Sequence, residues 1–434
     1  MGFKLFLMCL TVFLVACSGI RTRRIIGIRI FSISILILAT LTLSWGSLSA
    51  QELGPMRSFS LDSRYFIRTN SNRAMGQFGI EMVNLATLPA DLIGRGSKLR
   101  NVGQGLVFLF TASYLTEGFS LTYHEFGHGS RNSAIGYRVQ YAFGSVQKNL
   151  NSAKRYDNIF SFYLRTFYKN GGFALRTSEN ARFTPFTEEK QRELRWNILR
   201  RAGGMNNEMF YTELIEDEVY RHGGHIGFLS AYLKGKLSPS HFSDSAGKFG
   251  DLNRVVTAYE EQGFPIDKDK IDSGSQVAFY FSAMTYQLFY QTFRMLTGKS
   301  YRFQPWEYRG LQLPNTSFYM TRSGLSHKVR SAYRSGSWRF PFAVEHVFEG
   351  NRRTEVSFGA EKRCEKRVGY GLTAIIGKQL EIELDVSYRV DKWFLISAGY
   401  SLYDVRNLHG ERLIPSLEHG STYHDFYLRA SLTY

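Results

Sequence analysis

Residues Gly105–Gly129, GLVFLFTASYLTEGFSLTYHEFGHG, form a long apolar run that ends in His124-Glu125-Phe126-Gly127-His128. Only Thr111 and Ser113 interrupt the apolar side chains between Leu106 and Leu115, the composition of a buried helix. Residues four apart on a helix share a face, so His124 and His128 can hold one metal ion. Glu125 reaches the same cleft from another angle, where a carboxylate can take a proton from water without occupying a coordination position. A buried helix end carrying two imidazoles and a carboxylate must give them partners, and a metal is an economical one. Glu117, seven residues before His124, is a candidate acceptor for a ligand imidazole N–H.

The HEFGH stretch resembles the active-site helix of the zincin metallopeptidases, and the resemblance covers a few tens of residues. It implies that His124 and His128 bind Zn2+ and that Glu125 activates water against a peptide carbonyl. A catalytic zinc site usually has three protein ligands and one open position. The extended motif with a third histidine is absent, because Ala134 stands where that residue would fall. Gly203–Glu213, GGMNNEMFYTE, holds Asn207-Glu208 ahead of a helical pattern. This is similar to the second site helix of the glutamate-type zincins and implies Glu208 as the third ligand. Glu213, His222 and His225 are the alternatives.

Upstream, two export signals follow one another. Met1–Gly19 has Lys4, an apolar stretch and Leu14-Val15-Ala16-Cys17, which resembles a lipoprotein cleavage box. Arg21, Arg23 and Arg24 then precede Ile30–Leu43 and a small-residue site at Leu48-Ser49-Ala50. Residues 1–50 are therefore expected to be a leader. Either the second signal is the working one or Cys17 is lipid-modified, and on both accounts the protein leaves the cytoplasm. The formal net charge is +17, of which the leader contributes five basic and no acidic residues. The basic excess that remains suits anionic lipid head groups, and nucleic acid is not an expected partner of an exported chain. Of three cysteines only Cys364 lies beyond the leader, so an internal disulfide is excluded from the mature chain.

Residues 51–310 read as an α+β domain of mainly helical character. Arg57–Thr69, Tyr137–Phe143 and Ile159–Phe167 read as strands, with a turn at Asn170-Gly171-Gly172. The zincin resemblance implies that a strand beside the site helix holds substrate in an extended form. Helices are expected over Ile80–Leu92, from Thr187 to Arg201 with a break at Gly203-Gly204, from Asn207-Glu208 to Tyr220, over Ile226–Leu233, and over Ser275–Leu296.

Over residues 311–434 the hydrophobic period becomes two. Gln379–Tyr388, QLEIELDVSY, alternates without a fault, and eight strands of about ten residues can be counted. Their length matches a tilted membrane crossing, and Trp338, Tyr370, Trp393, Tyr400 and Tyr403 recur near strand ends as an interfacial girdle would. The closing alternation to Tyr434 resembles the C-terminal signature of bacterial outer-membrane barrels. That resemblance implies assembly by the barrel-assembly machinery and contact with outer-membrane lipids.

The combined expectation is a mainly helical metal-site domain followed by an antiparallel outer-membrane-type β-barrel, acting as a zinc-dependent hydrolase on a peptide or protein substrate. Two alternatives stand beside it. One is a non-enzymatic barrel serving as adhesin or scaffold, and the other is an intramembrane zinc protease of the inner membrane.

Overall fold

The computed structural model describes residues 57–63, 71–85, 97–143, 154–166, 172–181, 183–242, 250–362, 367–391, 393–413, 416–418 and 420–433. The leader, Cys17, Cys364, Tyr434 and the Asn170-Gly171 turn lie outside them.

In chain order the elements begin with β1 (Arg57–Asp62), α1 (Asn72–Leu85), α2 (Lys98–Ala134), β2 (Arg138–Phe143), β3 (Arg155–Tyr156), α3 (Ile159–Thr166) and β4 (Gly172–Thr177). Next come α4 (Glu188–Glu193), α5 (Trp196–His222), β5 (Gly224–His225), α6 (Leu229–Lys236), α7 (Ser238–Phe242), α8 (Asp251–Glu260), α9 (Lys268–Tyr280) and α10 (Ala283–Leu296). Short strands β6 (Arg302–Phe303), β7 (Glu307–Tyr308) and β8 (Leu311–Gln312) lead into β9 (Asn315–Thr321), β10 (Gly324–Ser335), β11 (Trp338–Gly350) and β12 (Thr354–Lys362). The chain continues through β13 (Val368–Ile376), β14 (Leu380–Arg389), β15 (Phe394–Asp404) and β16 (Thr422–Thr433).

The chain is thus mixed α/β, with helices followed by a large antiparallel sheet. Each of the eight alternating segments read from the sequence is a strand, β9 to β16, because a two-residue period suits a pleat with one buried face. Strand order in the sheet is β1-β16-β15-β14-β13-β12-β11-β10-β8-β7, with β9 also on β10. β1 joins at the far end, Leu61 opposite Ala430. Among the described residues β1 does not pair with β7, β8 or β9, so no closed barrel is formed.

The sheet is apolar on the outside and charged within. Phe342, Val344, Val356, Phe358, Leu372, Leu384, Val386 and Leu428 are exposed, whereas Glu345, Glu355, Arg330 and Arg339 are buried on the opposite face. The C-terminal half of α5 lies along that inner face. Arg330 donates to Asp217 at 2.9 Å, Arg221 pairs with Glu361 at 2.7 Å, and Arg412 grips Glu345 at 2.7 and 2.8 Å. A cavity of about 620 Å³ remains between helix and strands, lined by residues that include Arg73, Glu213, Arg339 and Glu383. Removing one member of the fully buried Arg412–Glu345 pair leaves the other uncompensated, at about 3–5 kcal/mol, while the more open pairs add register between helix and sheet at a smaller cost.

The helical part packs around α2 and α5. Phe108, Phe119, Tyr123, Trp196, Ile198 and Ile215 are buried there, each worth about 1.5–3 kcal/mol of apolar burial. The Trp196 indole N–H donates to the Arg131 carbonyl at 2.9 Å and ties the start of α5 to the end of α2.

Several local expectations are corrected. The expected strand Ile159–Phe167 is helical over Ile159–Thr166 as α3, because aromatic residues dominate both periods and packing against α2 decides, and Phe167 lies outside the described residues. The expected break at Gly203-Gly204 falls instead at Arg195, whose φ is +52°, and α5 runs unbroken through both glycines. Thr187 caps α4 as expected, its hydroxyl accepting from the Lys190 amide. The segment Ser275–Leu296 is two helices, with Phe281-Ser282 between them, where Asn315 accepts from the Met284 amide and Pro314 from the Ala283 amide. Among the described residues no helix is long and apolar enough to cross a membrane.

Candidate metal centre

Three glycines bring the site helices into contact. A Cβ on Gly127 would lie 2.2 Å from the Gly203 carbonyl oxygen, and one on Gly203 would lie 2.5 Å from that of Gly127. A Cβ on Gly204 would lie 2.3 Å from Nε2 of His124. Only glycine lets α2 and α5 cross this closely. Arg131 and Asn207 reinforce the crossing, the guanidinium donating to Asn207 Oδ1 at 2.7 Å while the Asn207 amide donates to Asn72 and to the Tyr123 carbonyl.

His124 and His128 point the same way from α2, with Nε2 atoms 3.3 Å apart. Asp251, in the first turn of α8, completes the group. Its Oδ2 is 3.1 Å from Nε2 of His124 and 3.3 Å from Nε2 of His128. Ligand atoms 2.0–2.1 Å from a tetrahedral zinc are about 3.3–3.4 Å apart. The three atoms therefore span one face of such a tetrahedron, and the group could hold a metal ion.

The other edge of each ring fixes what its Nε2 offers to the group. His128 Nδ1 meets the Arg200 carbonyl at 2.9 Å, and a carbonyl only accepts, so Nδ1 carries the proton. His124 Nδ1 faces Glu208 Oε2 at 3.1 Å, and Glu208 is held below the usual carboxylate range, against its burial, by His124. In the neutral rings both Nε2 atoms are then lone-pair acceptors, and they face a third acceptor, the Asp251 carboxylate. Burial opposes charge on His124, yet Glu208 and Asp251 outweigh it and hold its pKa well above the ordinary value. The site calls for positive charge at one point, which a divalent ion would supply.

Glu208 is accordingly placed behind His124 and not beside His128. One imidazole offers its two nitrogens in diverging directions, so a carboxylate on Nδ1 does not share an ion held at Nε2. Glu208 instead orients the ring, itself anchored by the hydroxyls of Ser120, at 3.0 Å, and Ser238. The acceptor role expected of Glu117 thus falls to Glu208, since Glu117 is exposed. The three alternative ligands lie elsewhere. Glu213 is bound by Tyr319 at 2.6 Å and by Lys328 on the inner face of the sheet. His222, fourteen residues after Glu208, is about 21 Å further along α5. His225 is buried between Phe108 and Phe228, with Nε2 against Asn84 at 2.9 Å.

Glu125 is buried on the neighbouring face of α2, against β4. Burial pushes its pKa up, while His124, His128 and a hydrogen bond from the Ala174 backbone pull it back. β4 pairs with β2 on one side and ends the small sheet β3-β2-β4, leaving an edge above the site helix. Asp251 is the most open of the group, its side chain a quarter exposed. Reading by sequence missed it, since Gly250-Asp251 looks like any acidic start to a helix.

No known protein family matches the chain, and neither characterised proteins nor solved structures show a significant match.

Proposed function

We propose that the chain is a membrane-anchored, zinc-dependent hydrolase, most directly a metallopeptidase, of the bacterial outer membrane. The observation that carries the reading is the triangle of His124 Nε2, His128 Nε2 and Asp251 Oδ2 at 3.1–3.3 Å, with Glu125 one residue from the first ligand. A zinc ion held there would supply Lewis acidity toward a carbonyl and make water acidic near neutral pH. Glu125 acts as general base, taking a proton from the attacking water on its carboxylate and passing it to the leaving amine nitrogen. Its burial keeps the carboxyl pKa closer to neutrality, which suits that exchange. The edge of β4 supports a peptide substrate, because an extended chain can add to it as a further strand and present its carbonyls above Glu125.

The sheet supports the membrane anchor. A soluble sandwich buries its apolar face, whereas here the apolar side chains of β10–β16 look outward over strands of membrane-crossing length. Charged pairs and α5 occupy the inner face around the cavity of about 620 Å³, so a wide pore is not part of the reading. The region in contact with lipid is an open or closing barrel of eight strands with β1 added, delivered to the outer membrane by the barrel-assembly machinery.

The test is metal content and hydrolysis in two variants. Asp251→Ala should lose zinc at stoichiometric levels, while Glu125→Gln should retain zinc and lose hydrolysis of a denatured protein substrate. A wild-type protein that neither carries nor takes up zinc would overturn the reading and leave a scaffold or adhesin.

A further inference from the structure

α2 is one helix of 37 residues, and its two halves face different surroundings. The second half is buried and carries the HEFGH motif. In the first half Leu99, Gly103, Val107, Phe110 and Tyr114 form a single stripe, at spacings of three and four residues. That stripe faces outward: Leu99 is 82% and Phe110 73% exposed. The opposite side of the same half is packed, with Phe108 against His225 and Tyr301 and Gly105 against Met295 of α10.

α10 extends the outward-facing surface. Tyr290 and Leu296 are exposed and Phe289 and Phe293 half-buried, again at helical spacing, with Phe281 exposed just before the helix. The surface continues to the outer face of the large sheet. The Phe281 carbonyl accepts from Thr316 Oγ1 at 3.0 Å, and Thr316 stands opposite the exposed Val329 of β10. Leu311 and Tyr333, both exposed, stand opposite one another on β8 and β10.

Along the two segments that carry this surface the charge has one sign, and the exposed Glu117 closes the stripe one turn beyond Tyr114. From Ser97 to Thr116 and from Ser273 to Trp306 there is no Asp or Glu. Lys98, Arg100, Arg294, Lys299 and Arg302 gather where α2 begins and α10 ends, a junction tied by Asn101 donating to the Gly298 carbonyl at 3.1 Å. An apolar face with a cationic rim at one end is the pattern of an element lying in the interface of an anionic bilayer, acyl chains against the stripe and head groups against the rim.

We propose that the first half of α2 and the outer face of α10 form a second lipid-contacting surface, continuous with that of the sheet and recognising an anionic leaflet. It extends the lipid contact proposed for the sheet and rests on no part of the metal reading. Because α2 is continuous, the surface also sets the distance of the metal group from lipid. Phe110 and His124 are fourteen residues apart, about 21 Å along the helix.

Spin labels at Phe110→Cys and Tyr290→Cys, in full-length protein lacking its native cysteines, test this in phosphatidylethanolamine–phosphatidylglycerol vesicles. Both labels should show an oxygen-to-nickel accessibility ratio severalfold above that at Lys190→Cys, on the exposed surface of α4. A ratio equal to that of Lys190→Cys means water contact and overturns the proposal. Low accessibility to both reagents means cover by protein, a second copy included, and also overturns it. A label at Leu384→Cys on the sheet separates the two membrane readings. Lipid contact at Leu384 alone refutes the helical surface and spares the barrel, and lipid contact at Phe110 and Tyr290 alone does the reverse.

Discussion

Gly204 is the position where one methyl group should separate metal binding from folding. A Cβ there would sit 2.3 Å from Nε2 of His124, 2.5 Å from Cδ2 and 2.5 Å from Cε1, against an ordinary contact of 3.4 Å or more. In Gly204→Ala either the imidazole retreats by about 1 Å or α5 moves away by as much. The second route is resisted by the ties between α2 and α5 at Trp196 and at Arg131–Asn207. Metal–ligand distances tolerate about 0.2 Å, so a ring displaced by 1 Å ceases to be a ligand. The expected loss of zinc affinity is at least about 100-fold, or roughly 2.8 kcal/mol at 1.4 kcal/mol per tenfold. Helix stability moves the other way, since alanine is better than glycine inside a helix by about 1 kcal/mol. Chelator competition for zinc, run beside circular dichroism of the same preparations, reads both quantities. Unchanged zinc affinity in a folded Gly204→Ala protein would show that His124 Nε2 is not a metal ligand.

Two further outcomes follow from side chains near the site. Glu208→Gln keeps a hydrogen-bond partner for His124 Nδ1 but removes the charge that orients and enriches the ring, so zinc affinity should fall about 10- to 100-fold with the fold intact. Loss of binding as complete as in Asp251→Ala would instead make Glu208 a ligand. His225 should make stability depend on pH. Burial, with Arg302 nearby, pushes its pKa down to about 3, against about 6.5 in the unfolded chain. The unfolded state therefore binds a proton that the folded state refuses, and this contribution to stability is full above pH 6.5 and declines as pH falls toward 3. By pH 5 the loss is about 2 kcal/mol. Chemical denaturation at pH 7.5 and pH 5 should show that difference shrinking in His225→Gln, and an equal difference in both proteins would refute the assignment.

The parts of this protein legible in the sequence are those whose signal lies within a turn or a pleat. His124, Glu125 and His128 could be placed together because i and i+4 meet on any helix, whatever surrounds it. The strands β9 to β16 could be counted because alternation is a property of each segment alone. The identity of α3 was not legible, since IFSFYLRT satisfies both periods and only its packing against α2 chooses. Nor was the meaning of Gly203-Gly204, which reads as a break but serves as a crossing once Gly127 lies opposite. The third member of the candidate metal group was decided by tertiary structure alone. Asp251 stands 127 residues from His124, and the group forms only because α8 is delivered to the face of α2 that Glu208 leaves free. The same holds for the sheet: its alternation was plain, but which face turns outward and which meets α5 depends on Glu213, Glu216 and Asp217 finding Lys328 and Arg330 across more than a hundred residues. Local pattern is set by short-range sterics and solvation, whereas the pairing of distant charges and ligands exists only after the chain has closed on itself.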